Sequence, residues 1–399
     1  MINQSWLDKK LSVIGQQQER ISNEVIEVIA KRLNDIGTML PTDVYALQQL
    51  YRTGADVREI NALIALGTAL QVKEIKKIIQ EVARDLYVDA KPYYDYRKKP
   101  FIPYKDNKVL QAKVNAIAKT TQETFKNLSN SRATGFTVLD KKTGKLVFMD
   151  VRQTYQTVID NAIFNLALNV GNYKTEIRKA LSQLVDSGLQ TVYWDSGYHQ
   201  RLETAVRRNI LDGVKKVSIE VDKQIGKEIG ADGIEISVHF MSAPDHEPIQ
   251  GHCFTNENFD KLQNGEDFED INHNKFTGIR RAIGEWNCRH YTSSVVLATY
   301  KPVYSQEELD KYKKDNAEGY TTEDGTHYTL YECTQIQRQM ETDIRRLKDE
   351  WLACNEIGDK DSMMSIKGQI AEKVEEYKLF CHECGLAPRG ENLVVIGYK

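Results

Sequence analysis

Between Leu11 and Ile36 the apolar residues Leu11, Ile14, Ile21, Val25, Val28, Ile29, Leu33 and Ile36 recur at helical intervals. That spacing puts them on one side of a single helix ending near Gly37, and a helix with one apolar stripe has to bury it. The pattern repeats downstream. Shorter helices are expected from Asp43 to Gly54, from Asp56 to about Gly67, and from Val72 to Leu86. A chain that starts this way folds by packing helices on each other or on a partner. With 399 residues, 41% hydrophobic and 28% charged, it has material for more than one core. The same figures exclude a disordered chain and a disulfide-held miniature.

The segment KPYYDYRKKPFIPYKD, residues 91–106, carries three prolines and four tyrosines. It predicts an extended, packed connector, followed by a helix over 107–128. The stretch 136–149 reads as a hairpin whose Gly144 takes the left-handed turn position, so its Lys-Thr-Gly-Lys is a turn and no nucleotide loop. Helices are expected over 151–168, 173–185 and 198–229. Ile234, Ile236 and Val238 then alternate with Glu235, Ser237 and His239, the mark of a half-buried strand with His239 on the polar face. From Met241 to about Gly278 little is periodic, which is long for a compact domain unless side chains or a metal tie the loops down. Helices over 310–316, 332–355 and 361–380 follow, the last two as an antiparallel hairpin, with a short strand over 392–396. The expected class is α+β and mainly helical. It comprises a helical N-terminal region (1–130), a central α+β domain (131–300) and a C-terminal helical region (301–399).

No stretch approaches the roughly 18 apolar residues of a membrane helix, and the N-terminus turns polar too early for a signal peptide. A soluble protein made in the cytoplasm, with no membrane partner, is expected. The formal charge of −3 offers no general attraction to nucleic acid. Locally, residues 91–126 hold nine Lys or Arg against Asp95, Asp106 and Glu123. This reads as a solvated helix face, with phosphate or an acidic protein surface as the alternative contact. Tyr193, Trp194, Gly197 and Tyr198 read as a core edge or docking surface. Arg201, Arg207 and Arg208 are expected to pair with the acidic run Glu266, Asp267, Glu269 and Asp270.

The residues able to carry chemistry concentrate between Glu235 and His290: His239, Ser242, Asp245, His246, Gln250, Gly251, His252 and Cys253, then Asn287, Cys288, Arg289 and His290. One reading is a zinc or other soft-metal site. Cys288 and His290, two apart, point to one side of an extended backbone, and His246 or His239 with His252 or Cys253 would complete it. The set His246, His252, Cys288 and His290 is the expected ligand group. A second reading is covalent catalysis, with Cys288 as nucleophile, His246 or His290 as base and Asp245 or Asn287 orienting it. A metal-assisted hydrolase would draw carboxylates from Glu235, Asp245 or the acidic run. The remaining reading is a buried hydrogen-bonded network that orders the loops. Six cysteines, at 253, 288, 333, 354, 381 and 384, favour free thiols or a metal over disulfides, and Cys381-His-Glu-Cys384 reads as helix-end packing.

The order and spacing of several pieces are similar to those of a known family. Gly188-Leu-Gln-Thr-Val-Tyr193, Asp195-Ser-Gly197, Arg201-Leu and the Ala205-Val-Arg-Arg208 run come first. Then follow Glu235, Ser237, His239, Ala243-Pro, His246, Gln250-Gly251, Gly284 and Asn287-Cys288-Arg289-His290. Residues 145–355 thereby resemble the minor capsid proteins of tailed phages and prophages of Gram-positive bacteria (the minor capsid protein 2 type). Tyr331-Glu332-Cys-Thr-Gln335 with Arg338 resembles the start of their C-terminal helical region. More distantly, the Asn-Cys-Arg-His ending resembles the head-morphogenesis family typified by the F protein of phage Mu, with His290 in place of a second cysteine. The resemblance implies a late structural protein of the virion, made beside the portal protein and acting in head assembly or DNA packaging and delivery. Its implied partners are the portal, other head proteins or copies of itself, with DNA touched non-specifically. The rival is a metal-dependent hydrolase or toxin-like enzyme centred on His246, Cys288 and His290. A tail or host-attachment module would need a β-rich, glycine-dense pattern that this sequence lacks.

Overall fold

The computed structural model describes residues 4–37, 55–130, 132–140, 143–167, 173–193, 198–279, 281–285 and 288–398. The first stripe forms α1 (Gln4–Gly37), with Leu11, Ile14, Val25, Ile29, Leu33 and Ile36 all buried. The helix expected from Asp43 lies outside the described residues. The two expected around Gly67 are one continuous helix, α2 (Ala55–Asp89). Gly67 is a crossing point and not a stop: a Cβ there would come within 2.1 Å of Ile21 Cδ1 on α1. The expected extended connector is also partly helical, as α3 (Lys91–Tyr96). Pro92 sits in its first turn, where a missing N–H costs nothing. Asn107 caps α4 (Lys108–Leu128), its side chain accepting from Leu110 N–H.

The hairpin forms as expected, from β1 (Thr134–Asp140) and β2 (Lys145–Asp150), with Gly144 at φ 68°. Gly135 of β1 passes so close to β2 that a Cβ would lie 2.0 Å from Met149 O. Gly135→Ala is therefore expected to cost about 2 kcal/mol, because backbone has to move. An unchanged midpoint in a denaturant melt would contradict that packing. Helices α5 (Val151–Ala167) and α6 (Tyr173–Ser187) follow. The helix expected from Tyr198 begins four residues later, because β3 (Gln190–Tyr193) and β4 (Tyr198–Arg201) pair as a second hairpin. The sheet order is β2-β1-β3-β4. Arg201 does not reach the acidic run; its guanidinium donates to the Val185 and Asp186 carbonyls at the end of α6.

The long helix α7 (Leu202–Ile229) runs through a core that extends from Leu7 to Ile229. Glu228 near its end accepts from the hydroxyls of Tyr87 and Tyr94 and so ties the proline-rich segment to it. Gly230, at φ 77°, ends α7 in the left-handed conformation that such caps need. Next comes β5 (Gly233–Ile236). It is the middle strand of a small sheet, between β6 (Cys253–Thr255) and a strand introduced below. The expected half-buried alternation is absent: all four residues of β5 are buried, with Glu235 only 5% exposed. Its carboxylate is tolerated there because Tyr300 OH donates to it at 2.7 Å and Val303 N–H at 3.1 Å.

Helix α8 (Asn256–Gln263) and the pair β7 (Phe268–Glu269) and β8 (Lys275–Phe276) condense the irregular stretch around a second core. Ile234, Ile249, Phe254, Phe259, Phe268 and Cys288 belong to it. Strand β9 (Thr292–Val295) completes the order β6-β5-β9. Beyond it lie α9 (Gln306–Glu318) and the small pair β10 (Tyr320–Thr321) and β11 (His327–Tyr328). The expected helical hairpin forms from α10 (Leu330–Glu356) and α11 (Lys360–Glu383). Thr329 opens α10 with a full capping box. The expected terminal strand is instead a 3₁₀ turn over Gly390–Leu393 and irregular chain. Side chains of α10 take its carbonyls: Arg345 donates to Asn392 O at 2.7 Å, and Lys348 to Leu393 O. All six cysteines are buried free thiols, and Cys333, Cys381 and Cys384 pack where the two helices meet. Among the described residues no helix is long and apolar enough to cross a membrane.

Candidate metal centre

Antiparallel pairing of β5 with β9 does not stop at the strand ends. Ser237 N–H donates to Tyr291 O at 2.8 Å, and Tyr291 N–H to Ser237 Oγ at 2.8 Å. Just before Tyr291 in the chain, the side chains of Cys288 and His290 fall on one side and meet, as their spacing predicts. The turn over Ala243–Gln250 lays His246 against them. Gly251, at φ 75°, returns the chain to the sheet by donating its N–H to Ile236 O at 2.9 Å. His246 is 0% exposed and Cys288 and His290 each 4%.

Cys288 Sγ stands 3.5 Å from His246 Nδ1 and 3.5 Å from His290 Nδ1. The surrounding hydrogen bonds fix both imidazole tautomers. His246 Nε2 lies 2.8 Å from Arg281 O, a carbonyl that only accepts, so the proton is on Nε2. Gln250 Oε1 accepts from His239 N–H at 2.9 Å and lies 3.3 Å from His290 Nε2, with Ser242 Oγ at 3.4 Å from that nitrogen, so a proton on His290 Nε2 satisfies both neighbours. Both Nδ1 lone pairs therefore face one sulfur. A thiol has a single proton to offer, which leaves one buried imidazole acceptor without a donor. Protonating the rings does not resolve this. Burial first, then His246 and His239 beside it, hold the His290 pKa down to about 2, and burial lowers that of His246. A cysteine sulfur and two neutral imidazoles converging on one point can serve as metal ligands, each imidazole steadied by an outer hydrogen bond. The three ligand atoms lie within 4.8 Å of one another, so the cluster can hold a metal ion.

Not every expected ligand joins it. His252 Nδ1 donates to Asp270 Oδ2 at 2.7 Å, with its ring against those of Phe254 and Phe276. The pull comes from Asp270, whose carboxylate also organises its own loop by accepting from Asn272 N–H and Asn274 N–H. Cys253 faces Glu235 and Tyr300, and burial beside that carboxylate pushes its thiol up to about 12. His239 stops short of the cluster, its ring 6.1 Å from that of His290 and its Nε2 3.5 Å from Arg289 Nη1.

Residues 6–381 match the model of the family described as phage minor capsid protein 2. The chain belongs to that family. It is a structural minor capsid protein of phage head morphogenesis, and its family ties it to the head and portal machinery. No curated protein and no solved structure matches it. Membership in a structural capsid family accords with a non-enzymatic role. A Cys-His-acid relay would run from His246 Nε2 to Asp245, but that nitrogen donates to the Arg281 carbonyl at 2.8 Å, while Asp245 stands 3.8 Å from it and pairs with Arg281 at 2.8 Å. Asn287, the other expected orienting residue, lies outside the described residues. Glu235 and Asp270 are engaged with Tyr300 and His252, and neither reaches the cluster.

A cavity of about 250 Å³ lies beside the cluster, lined among others by His239, Arg281, Arg289, Arg338 and Arg389. Arg338 and Arg389 had no place among the expected site residues. They are brought in by α10 and the chain after α11, more than a hundred residues from His239 in the case of Arg389. No local motif signals such an approach.

Proposed function

We propose that this minor capsid protein is a low-copy component of the head or connector, bound to the portal protein and adjoining head proteins. It would be taken up during assembly in the host cytoplasm. The observation that carries this reading is the family match across nearly the whole chain. Contact between copies, and non-specific contact with DNA through exposed Lys98, Lys99 and Lys105, are further parts of the proposal. Quantitative peptide mass spectrometry of purified particles tests it. One to a few tens of copies per particle, retained after a high-salt wash, is the expected result. Absence from mature particles despite strong late expression would overturn it.

We further propose that His246, Cys288 and His290 hold zinc, and that its role is to pin the irregular central stretch. The donor set, one thiolate and two imidazoles, is one zinc favours. Tetrahedral zinc, with Zn–S about 2.3 Å and Zn–N about 2.1 Å, separates sulfur and nitrogen by about 3.6 Å. The 3.5 Å separations here suit it. Such an ion would tie the turn over Ala243–Gln250 to the approach to β9.

A further inference from the structure

The cavity beside the cluster is lined by four arginines, Arg281, Arg289, Arg338 and Arg389. Arg281 has Asp245 at 2.8 Å and Arg389 has Glu341 at 2.8 Å. Arg338 has neither kind of partner: its hydrogen bond goes to Gln335 Oε1 at 3.3 Å, and no carboxylate among the described residues lies within ion-pair distance. Two turns along α10 the fold does otherwise, giving Arg345 both Glu19 at 3.1 Å and Glu203 at 3.6 Å. Burial, with Arg289, Arg207 and Arg389 around it, pushes the Arg338 guanidinium down to about 10, the mark of a cation surrounded by cations. Arg389 adds a second signal, since its Nη2 is buried with no hydrogen-bond partner.

We propose that this cavity binds a phosphoryl group, with Arg338 as its principal cation and Arg389 Nη2 as a second donor. Guanidinium forks match tetrahedral oxyanions, and an uncompensated partly buried arginine is stabilised by the anion it receives. Size limits the ligand. At about 250 Å³ the cavity is smaller than the roughly 300 to 1,000 Å³ of pockets that enclose a drug-sized molecule. It suits free phosphate, a small phosphomonoester or the terminal phosphate of a strand, and not the body of a nucleotide or duplex. The inference stands on the arginines and needs no metal.

Isothermal titration of the full chain with inorganic phosphate tests it. Saturable binding is expected, weakened about tenfold or more by Arg338→Gln with little change in melting temperature, because no buried acid loses its partner. Should the Gln variant fold poorly, Arg338→Lys keeps the charge and removes the fork, and an intermediate loss is expected. Repeating the titration after chelation separates the two sites. Phosphate binding that persists supports the arginine site, and binding that vanishes with the metal overturns it. No binding by the intact protein, or binding indifferent to both substitutions, also overturns it. Competition by a 5′-phosphorylated oligonucleotide but not by its unphosphorylated twin would assign the phosphate to strand ends. Competition by neither would assign it to a small phosphate.

Discussion

Cys288→Ser is expected to strip zinc from the purified protein and to lower its stability by about 4 kcal/mol when the wild type is measured at zinc a thousandfold above its dissociation constant. The reason is chemical. Of the three proposed ligands only Cys288 becomes an anion, and a serine hydroxyl at neutral pH stays protonated and binds zinc poorly. What would remain is two buried imidazoles whose Nδ1 lone pairs still converge. Elemental analysis of protein prepared without chelator should find close to one zinc per chain in the wild type and far less in the variant. A chelator should lower the wild-type melting temperature toward that of the variant and leave the variant unmoved. His252→Ala is the internal control, expected to keep the metal because His252 is held by Asp270. Wild type that carries no zinc, and that melts at the same temperature with and without it, would refute the centre.

The second large effect is expected at Arg345, where the C-terminal hairpin meets the first helix. Its Nε donates to Glu19 at 3.1 Å, its Nη1 to Asn392 O at 2.7 Å, and its Nη2 lies 3.6 Å from Glu203. Nearby, Asn23 Nδ2 donates to Asp349 at 2.9 Å. Arg345→Ala leaves Glu19 beside Glu203 and Asp349 without their common cation, and a loss of about 3–5 kcal/mol is expected. The loss should depend on pH. Burial first, then Glu203 and Asp349, push the Glu19 carboxyl well above its ordinary value of 4.5. A carboxyl raised in the folded state binds its proton more tightly there than in the unfolded chain. Its favourable contribution is complete below about pH 4.5 and fades as pH rises toward the folded-state value. The Glu19 contribution to melting temperature should therefore fall from pH 5 upward and over a wider pH range in Arg345→Ala, and adding Glu19→Gln should remove it. A pH profile left unchanged by Arg345→Ala, or by the added Glu19→Gln, would contradict this account.

Much of the fold was legible because helices announce themselves locally. The stripe of α1, the 136–149 hairpin and the α10–α11 pair all follow from spacing that a few neighbouring residues decide. Misreadings arose where one residue type serves two purposes. Gly67 looks like a helix stop, yet glycine is also what lets two helices touch, and only the position of Ile21 tells which. The strands at Gln190–Tyr193 and Tyr198–Arg201 are too short to show alternation, and the expected strand near the C-terminus lost its carbonyls to α10.

The site divides the same way. Cys288 and His290 meet from positions two apart, a spacing the sequence alone determined, as it did the helical character and the family resemblance. Which histidine joins them was decided by tertiary structure. His246 and His252 are six apart in one loop, and Asp270 claims one while the Arg281 carbonyl orients the other. Arg338 belongs to a different helix altogether. Its lack of a carboxylate among the described residues is a property of the packed neighbourhood, and no stretch of sequence contains it. Local periodicity is written into neighbouring residues, whereas charge balance and ligand choice arise only when distant segments are brought within a few ångströms.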